Sequence, residues 1–236
     1  EISGLSISIF RILLGFILIL QSLYWVLTGF IQKNILEPTF LFPFIEDLNP
    51  LPNFLMNFGV NGALLIGAVF IITNRFYKIG LILYLFSFTY LWLLCQGFFN
   101  NHYYLISIIC FLLFFSKTPF SKTEKIRIPR LYLFLLQLLI VTVYIVAGVN
   151  KLNPYWLIDT QPMMHILSEV GLSEKSFFIP VFSYLGLFFD LLIGPVLLLK
   201  RTRLIGIIVA FLFHLMNFII FLLAGGEIGF FPFIMI

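Results

Sequence analysis

Few side chains in this sequence can do acid–base chemistry, and a handful of those stand in or at the ends of apolar runs. Lys151 closes the run YIVAGVNK (Tyr144–Lys151). His102 follows Asn100 and Asn101 in NNHYYL. Asp190 interrupts LFFDLLIG. His214 is followed three residues later by Asn217, and Glu227 follows Gly225 and Gly226. Ionisable groups inside membrane spans are expensive, and function is the usual reason for keeping them. A lysine in such a place has two readings. It can snorkel, laying its carbon chain on apolar surface and its amine in the interface. Alternatively its amine is partly buried, kept neutral by the cost of burying charge, and able to take a proton. Tyr144, Ala147, Gly148 and Lys151 fall on one helical face, so small residues leave room beside the lysine. His102 reads either as a helix-start histidine bonded to backbone or as an active-site group. His214 and Asn217, one turn apart, read either as a polar clamp between helices or as cofactor contacts. Asp190 is expected to pair with a buried partner, and His165 to be solvated in a loop. No HxxxH or HxxH pair occurs, so no metal site is expected.

The elements that must position these groups follow from composition. The chain has 236 residues, of which 61% are hydrophobic and 10% charged, and its mean hydropathy is +1.11. A soluble domain carries about 25% charged residues, which excludes that class. The 31 Phe and 10 Tyr exclude disorder. What remains is an all-α polytopic membrane bundle of seven to eight helices. Taking about 20 apolar residues per crossing, spans are expected over Leu5–Ile31, Gly59–Thr73, Ile79–Cys95, His102–Phe115, Leu131–Val149, Phe177–Leu199 and Leu204–Leu223, with an eighth starting near Phe230. Cys95 and Cys110 lie in apolar stretches without a CxxC, which suits buried thiols rather than a disulfide framework or zinc. The start at Glu1 and the apolar end FFPFIMI suggest a chain that continues beyond residue 236. No cleavable signal peptide is evident.

Charge orients these spans. Arg11; Arg75 and Lys78; Lys117, Lys122, Lys125, Arg127 and Arg130; and Lys200, Arg201 and Arg203 all fall on one side if seven spans alternate. The other side holds Lys33, Lys151 and Lys175 among seven carboxylates, Glu227 included. The positive-inside rule then predicts a cytoplasmic N-terminus, with Asn101, His102, Lys151 and Glu227 near the outer leaflet. The outer segment 32–58 carries Pro38, Pro43, Pro50 and Pro52 among Phe and Leu. It is too broken to span and too apolar to hang free, so it is expected at the interface or re-entering as a lid. The outer segment 150–176 is the second long loop. No basic patch is interleaved with stacking aromatics, so nucleic acid is not an expected partner.

Four segments resemble, in order, elements of vitamin K-dependent γ-carboxylase. YIVAGVNKLNPYW (Tyr144–Trp156) is similar to its A-G-V-x-K-L-x-x-x-W element, and NNHYYL (Asn100–Leu105) to its Asn-His-x-Tyr-Leu element. LFFDLLIGPVLLL (Leu187–Leu199) resembles its Leu-Asp-Leu helix. FHLMN (Phe213–Asn217), followed by IGFF (Ile228–Phe231), resembles its Phe-His-x-Met-Asn helix and the turn after it. The same elements mark the wider bacterial HTTM group, in which carboxylation is not general. The resemblance implies a single transmembrane domain over residues 1–236 in a bacterial inner or plasma membrane, working on its extracytoplasmic face.

By position, the resemblance makes Lys151 the catalytic lysine, a free amine that deprotonates a reduced vitamin K- or menaquinol-type quinone. Oxygenation of that quinol to its epoxide, with O2 and CO2 as co-substrates, drives carboxylation of glutamate. His102 matches the active-site histidine and Asn101 flanks it, while Tyr144, His214 and Asn217 match positions around the cofactor. Asn150 departs from the vertebrate pattern, which has another lysine there. The implied partners are the bilayer, a peptide or protein substrate on the outer side, and another membrane protein. The alternative is a non-enzymatic scaffold or a maturation or export factor for a secreted peptide. A scaffold has no need of both Lys151 and His102, which favours the enzyme. A transporter would favour inverted repeats, and none is visible.

Overall fold

A computed structural model describes residues 1–38, 40–98, 101–116 and 127–225. The expected eighth span near Phe230, the IGFF turn, Glu227 and Asn100 lie outside the described residues. Within them the protein is an all-α polytopic membrane bundle. Lipid offers no partner to backbone N–H and C=O groups, so each long apolar run closes its own hydrogen bonds as a helix. Six helices are long and apolar enough to cross a membrane: Leu5–Thr28, Leu55–Thr73, Tyr77–Leu94, Arg130–Asn150, Phe178–Leu198 and Arg203–Leu223. We label the α-helices α1 (Leu5–Thr28), α2 (Asn61–Thr73), α3 (Tyr77–Leu94), α4 (Asn101–Phe115), α5 (Arg130–Asn150), α6 (Pro154–Leu157), α7 (Met163–Glu169), α8 (Phe178–Leu198) and α9 (Arg203–Leu223). Two short strands, β1 (Ile2–Ser3) and β2 (Arg127–Ile128), pair antiparallel with Ile2 opposite Ile128.

Boundaries follow local chemistry. α1 stops at Gly29, whose left-handed conformation (φ 67°) lets its N–H cap Trp25 and Val26. The crossing that contains α2 starts at Leu55 rather than Gly59, because the helical backbone begins directly after Pro52, whose carbonyl accepts the Met56 N–H at 3.0 Å. His165, expected in a loop, lies exposed on the short helix α7. Both cysteines are buried and free.

Contacts divide the chain into two compact units, Glu1–Phe134 and Leu135–Ile236. In the first, α2 crosses α3 through glycines. A Cβ on Gly80 would stand 2.6 Å from the Gly67 carbonyl oxygen, and a Cβ on Gly67 would stand 2.8 Å from that of Gly80. Small residues are what allow helix backbones to approach this closely in a membrane. Trp25 stacks on Phe30 and Phe88, at 4.7 and 5.4 Å between ring centroids, and Tyr103 meets both Trp25 and Phe88 edge-on.

One end of this first unit gathers several helix termini. Arg11 was expected near the start of the first span, among the charges of the cytoplasmic side. It is fully buried at 0% exposure, and its Nη1 donates to the carbonyls of Ile71 and, at 3.1 Å, Ile72 in the last turn of α2. Those carbonyls lie where a helix carries its partial negative charge, which gives a cation reason to be there. The Tyr77 hydroxyl, at the start of α3, donates to Ser116 and Leu113 at the end of α4. The β1–β2 pair joins the N-terminus to the segment before α5 at that end. α4 has 15 residues, about 22 Å against a hydrocarbon core of about 30 Å. The Tyr77 hydrogen bonds nevertheless put the end of α4 beside the start of α3, so α4 runs back antiparallel to α3.

At the opposite end, the segment expected over 32–58 is a strap up to the start of the Leu55–Thr73 crossing, not a free loop. Phe44 N–H donates to Leu93 O at 2.8 Å, Gln96 N–H to Phe42 O at 2.7 Å, and Leu51 N–H to the Tyr90 hydroxyl at 2.9 Å. The backbone is thus satisfied on the end of α3 while Phe40, Phe42, Phe54 and Phe58 stay exposed.

In the second unit α8 returns antiparallel to α5. A Cβ on Gly148 would stand 2.7 Å from Leu191 Cδ2, and one on Gly194 3.0 Å from Val141. α8 ends three residues after Pro195, and its last carbonyls are bonded from the next turn: Thr202 Oγ1 donates to Val196 O, Arg203 Nε to Leu197 O and Arg203 Nη2 to Leu198 O.

Candidate active site

Lys151 sits one residue past α5, whose end tightens as Lys151 N–H bonds Gly148 O at 3.1 Å. The next turn is set by Asn153. Its Oδ1 caps α6 by accepting from Trp156 N at 3.0 Å, with Pro154 opening that helix. This brings the Trp156 ring over the lysine, with Nζ 4.7 Å from its centroid. The indole is locked in turn, because Trp156 Nε1 donates to Ser183 O on α8 at 2.8 Å.

The amine does not snorkel. It donates to Asp190 Oδ2 as an ion pair, with the lysine side chain 19% and the aspartate 7% exposed. Ser183, Gly186, Leu187 and Asp190 are the buried stripe of α8. Gly186 leaves the space in which the amine lies, since a Cβ there would stand 3.8 Å from Nζ and 3.5 Å from Trp156. The Ser183 hydroxyl is buried and has no hydrogen-bond partner among the described residues.

A second polar pair lies deeper on the same face of α5. Tyr144 Oη and His214 Nε2 are 2.7 Å apart and both residues are buried. Phe189 meets Tyr144 edge-on and stacks on Phe213 at 3.6 Å. Asp190 directly follows Phe189 on α8, the ring that Tyr144 meets. Asn217 is half-buried one turn beyond His214. Thus Lys151, Tyr144 and His214 gather in one unit, together with Asp190. Asn101 and His102 open α4 in the first unit, and their side chains lie outside the described structure. Among the described residues, no three His, Cys, Asp or Glu side chains come together as a metal set would.

Sequence reasoning expected a buried partner for Asp190 without naming it, and it did not single out Gly186 or the Trp156 ring. A usable signal was there: Asp190 is the lone acid of its span, and Lys151 ends the only other span of this unit that carries an amine near that depth. No solved structure matches the chain. The HTTM domain model matches residues 1–236, and the chain belongs to the HTTM domain family.

Proposed function

We propose that this protein is an integral-membrane, γ-carboxylase-like enzyme in which Lys151 is the base that deprotonates a reduced quinone. The observation that carries this reading is the place of the amine. The lysine that the resemblance makes catalytic points away from the interface into a space bounded by Trp156, Gly186 and Asp190. A surface cation would gain most by snorkelling, so an inward amine calls for another reason. The donor set suits a flat, lipid-soluble phenol: an indole face beside an amine, with the apolar wall of α8 around them.

Oxidation of a reduced quinone by O2 would supply the free energy that generates a base strong enough to take a proton from a glutamate side chain. Lys151 would accept the phenolic proton at Nζ. Trp156 would hold the ring plane and keep water off the amine. Tyr144, His214 and Asn217 would line the deeper side. His102 and Asn101 take their roles in this reading from the resemblance alone. The N-terminus faces the cytoplasm, supported by Arg11, Arg75, Lys78, Arg127 and Arg130 lying around one end of the first unit. Lys151, at the far end of α5 from Arg130, then lies toward the outer leaflet, where a secreted peptide or protein would bring its glutamate.

The test is epoxide formation by the purified protein in detergent, supplied with reduced vitamin K or menaquinol and oxygen, beside Lys151→Ala. Epoxide from the wild type and none from the variant is expected. No epoxide from folded wild type, with or without glutamate peptide and bicarbonate, would overturn the reading in favour of a scaffold or maturation factor.

A further inference from the structure

We infer that Asp190 is the positioning partner of Lys151: it holds the amine inside the bundle and takes the proton that the amine must shed before it can act. This deepens, and rests on, the reading of Lys151 as the base. Nothing in the local sequence requires the contact, which joins residues 39 apart in the chain. It does explain three features together. First, a lysine at a helix end has four methylenes with which to reach water, yet this one turns inward, so something must hold it. Second, Asp190 lies inside α8 at 5% exposure, where a lone carboxylate would carry an unpaid desolvation cost. Third, position 186, one turn from Asp190 on the same face, is glycine. Nζ lies in the space it leaves.

The proton step balances without any outside reactant. An N–H bond breaks at Nζ and an O–H bond forms at Oδ2, so ammonium and carboxylate become amine and carboxylic acid. The pair has zero net charge before and after, so apolar surroundings do not oppose the transfer as they would oppose loss of a proton to bulk water. Trp156 lies over the amine, and the Tyr144–His214 pair lies deeper along α5.

The test reads the amine directly. Protein in nanodiscs is treated with a water-soluble, anionic amine reagent, trinitrobenzenesulfonate. Modification of Lys151 is followed by peptide mass spectrometry against the exposed Lys33 and Lys175 as internal standards. In Asp190→Asn the lysine swings out, and Lys151 labels faster by about tenfold or more, as expected for the loss of a charged hydrogen bond. Asp190→Glu, which keeps the carboxylate, stays at the wild-type rate. Equal rates in wild type and Asp190→Asn, or Asp190→Glu labelling as fast as Asp190→Asn, overturn the positioning role. In the epoxide assay, Asp190→Asn lowers kcat with little change in KM, and Asp190→Glu restores it. Full kcat in Asp190→Asn, despite faster labelling, overturns the proton-acceptor half. If labelling behaves as expected but no protein forms epoxide, the positioning inference stands and the quinol reading falls.

Discussion

Arg11 and Lys151 are both cations drawn into apolar helices, one in each unit, and the molecule satisfies them in opposite ways. Arg11 is completely enclosed and bonds only the carbonyls at the end of α2, with Nε and Nη2 lacking any acceptor among the described residues. Its guanidinium cannot give up a proton in a protein, and carbonyl oxygens cannot accept one. It is a clamp on a helix terminus. Lys151 is less enclosed and faces a carboxylate. An amine and a carboxylate can exchange a proton, so the same kind of burial that makes Arg11 a fixed clamp leaves the Lys151 pair able to move one. Burial of a cation therefore says little by itself, whereas the kind of acceptor it meets says a good deal.

This contrast can be broken by substitution. The largest effect is expected on turnover: Lys151→Ala should lower epoxide formation by about 10²–10⁴-fold, the scale of losing a positioned base, while Arg11→Leu leaves turnover per folded molecule within about twofold, as chromatography of the epoxide would show. Next come the stabilities of the pair. Lys151→Met alone should lose about 3–5 kcal/mol by leaving the Asp190 carboxylate buried and unpaired, and Asp190→Asn less, because the freed amine swings out to water, whereas the Lys151→Met/Asp190→Leu double variant should come back to near wild type. Denaturant unfolding in detergent would measure all three, and additive losses would argue that the ion pair is not the unit that matters. Arg11→Lys should cost about 1–3 kcal/mol, because a point charge cannot replace a planar guanidinium that reaches two carbonyls. The same unfolding experiment sharpens the comparison, since no second substitution should rescue it. Tyr144→Phe should cost about 1 kcal/mol through loss of the 2.7 Å bond to His214. It should change turnover only a few-fold, and a loss as large as that of Lys151→Ala would move the chemistry deeper into the bundle.

Much of the fold was legible in the apolar runs. The expected spans ending at Phe115, Thr73 and Leu223 end there, and Leu131–Val149 and Phe177–Leu199 each differ from the observed helix by a single residue at either end. The shift at Leu55 came from reading Pro50 and Pro52 as breaking a longer stretch than they do. A proline ends nothing on its C-terminal side, where its fixed φ suits a helix start. That Arg11 lies within the first span was legible; the partner that holds it was not. What drew it inward is a carbonyl end sixty residues away. The strap over α3 was legible as something neither loop nor span, but not its partners.

The sequence by itself determined which segments cross the membrane and which of its few charged groups lie within them, because a helix in lipid closes its own backbone bonds and needs no neighbour to do so. The tertiary structure alone decided that the amine of Lys151 turns inward, that Asp190 meets it, and that Gly186 and Trp156 bound the space they share. These contacts join residues on different helices, and they depend on glycines that set how near α8 comes to α5. Close approach of two helices is a property of both surfaces at once, and neither sequence segment carries it alone.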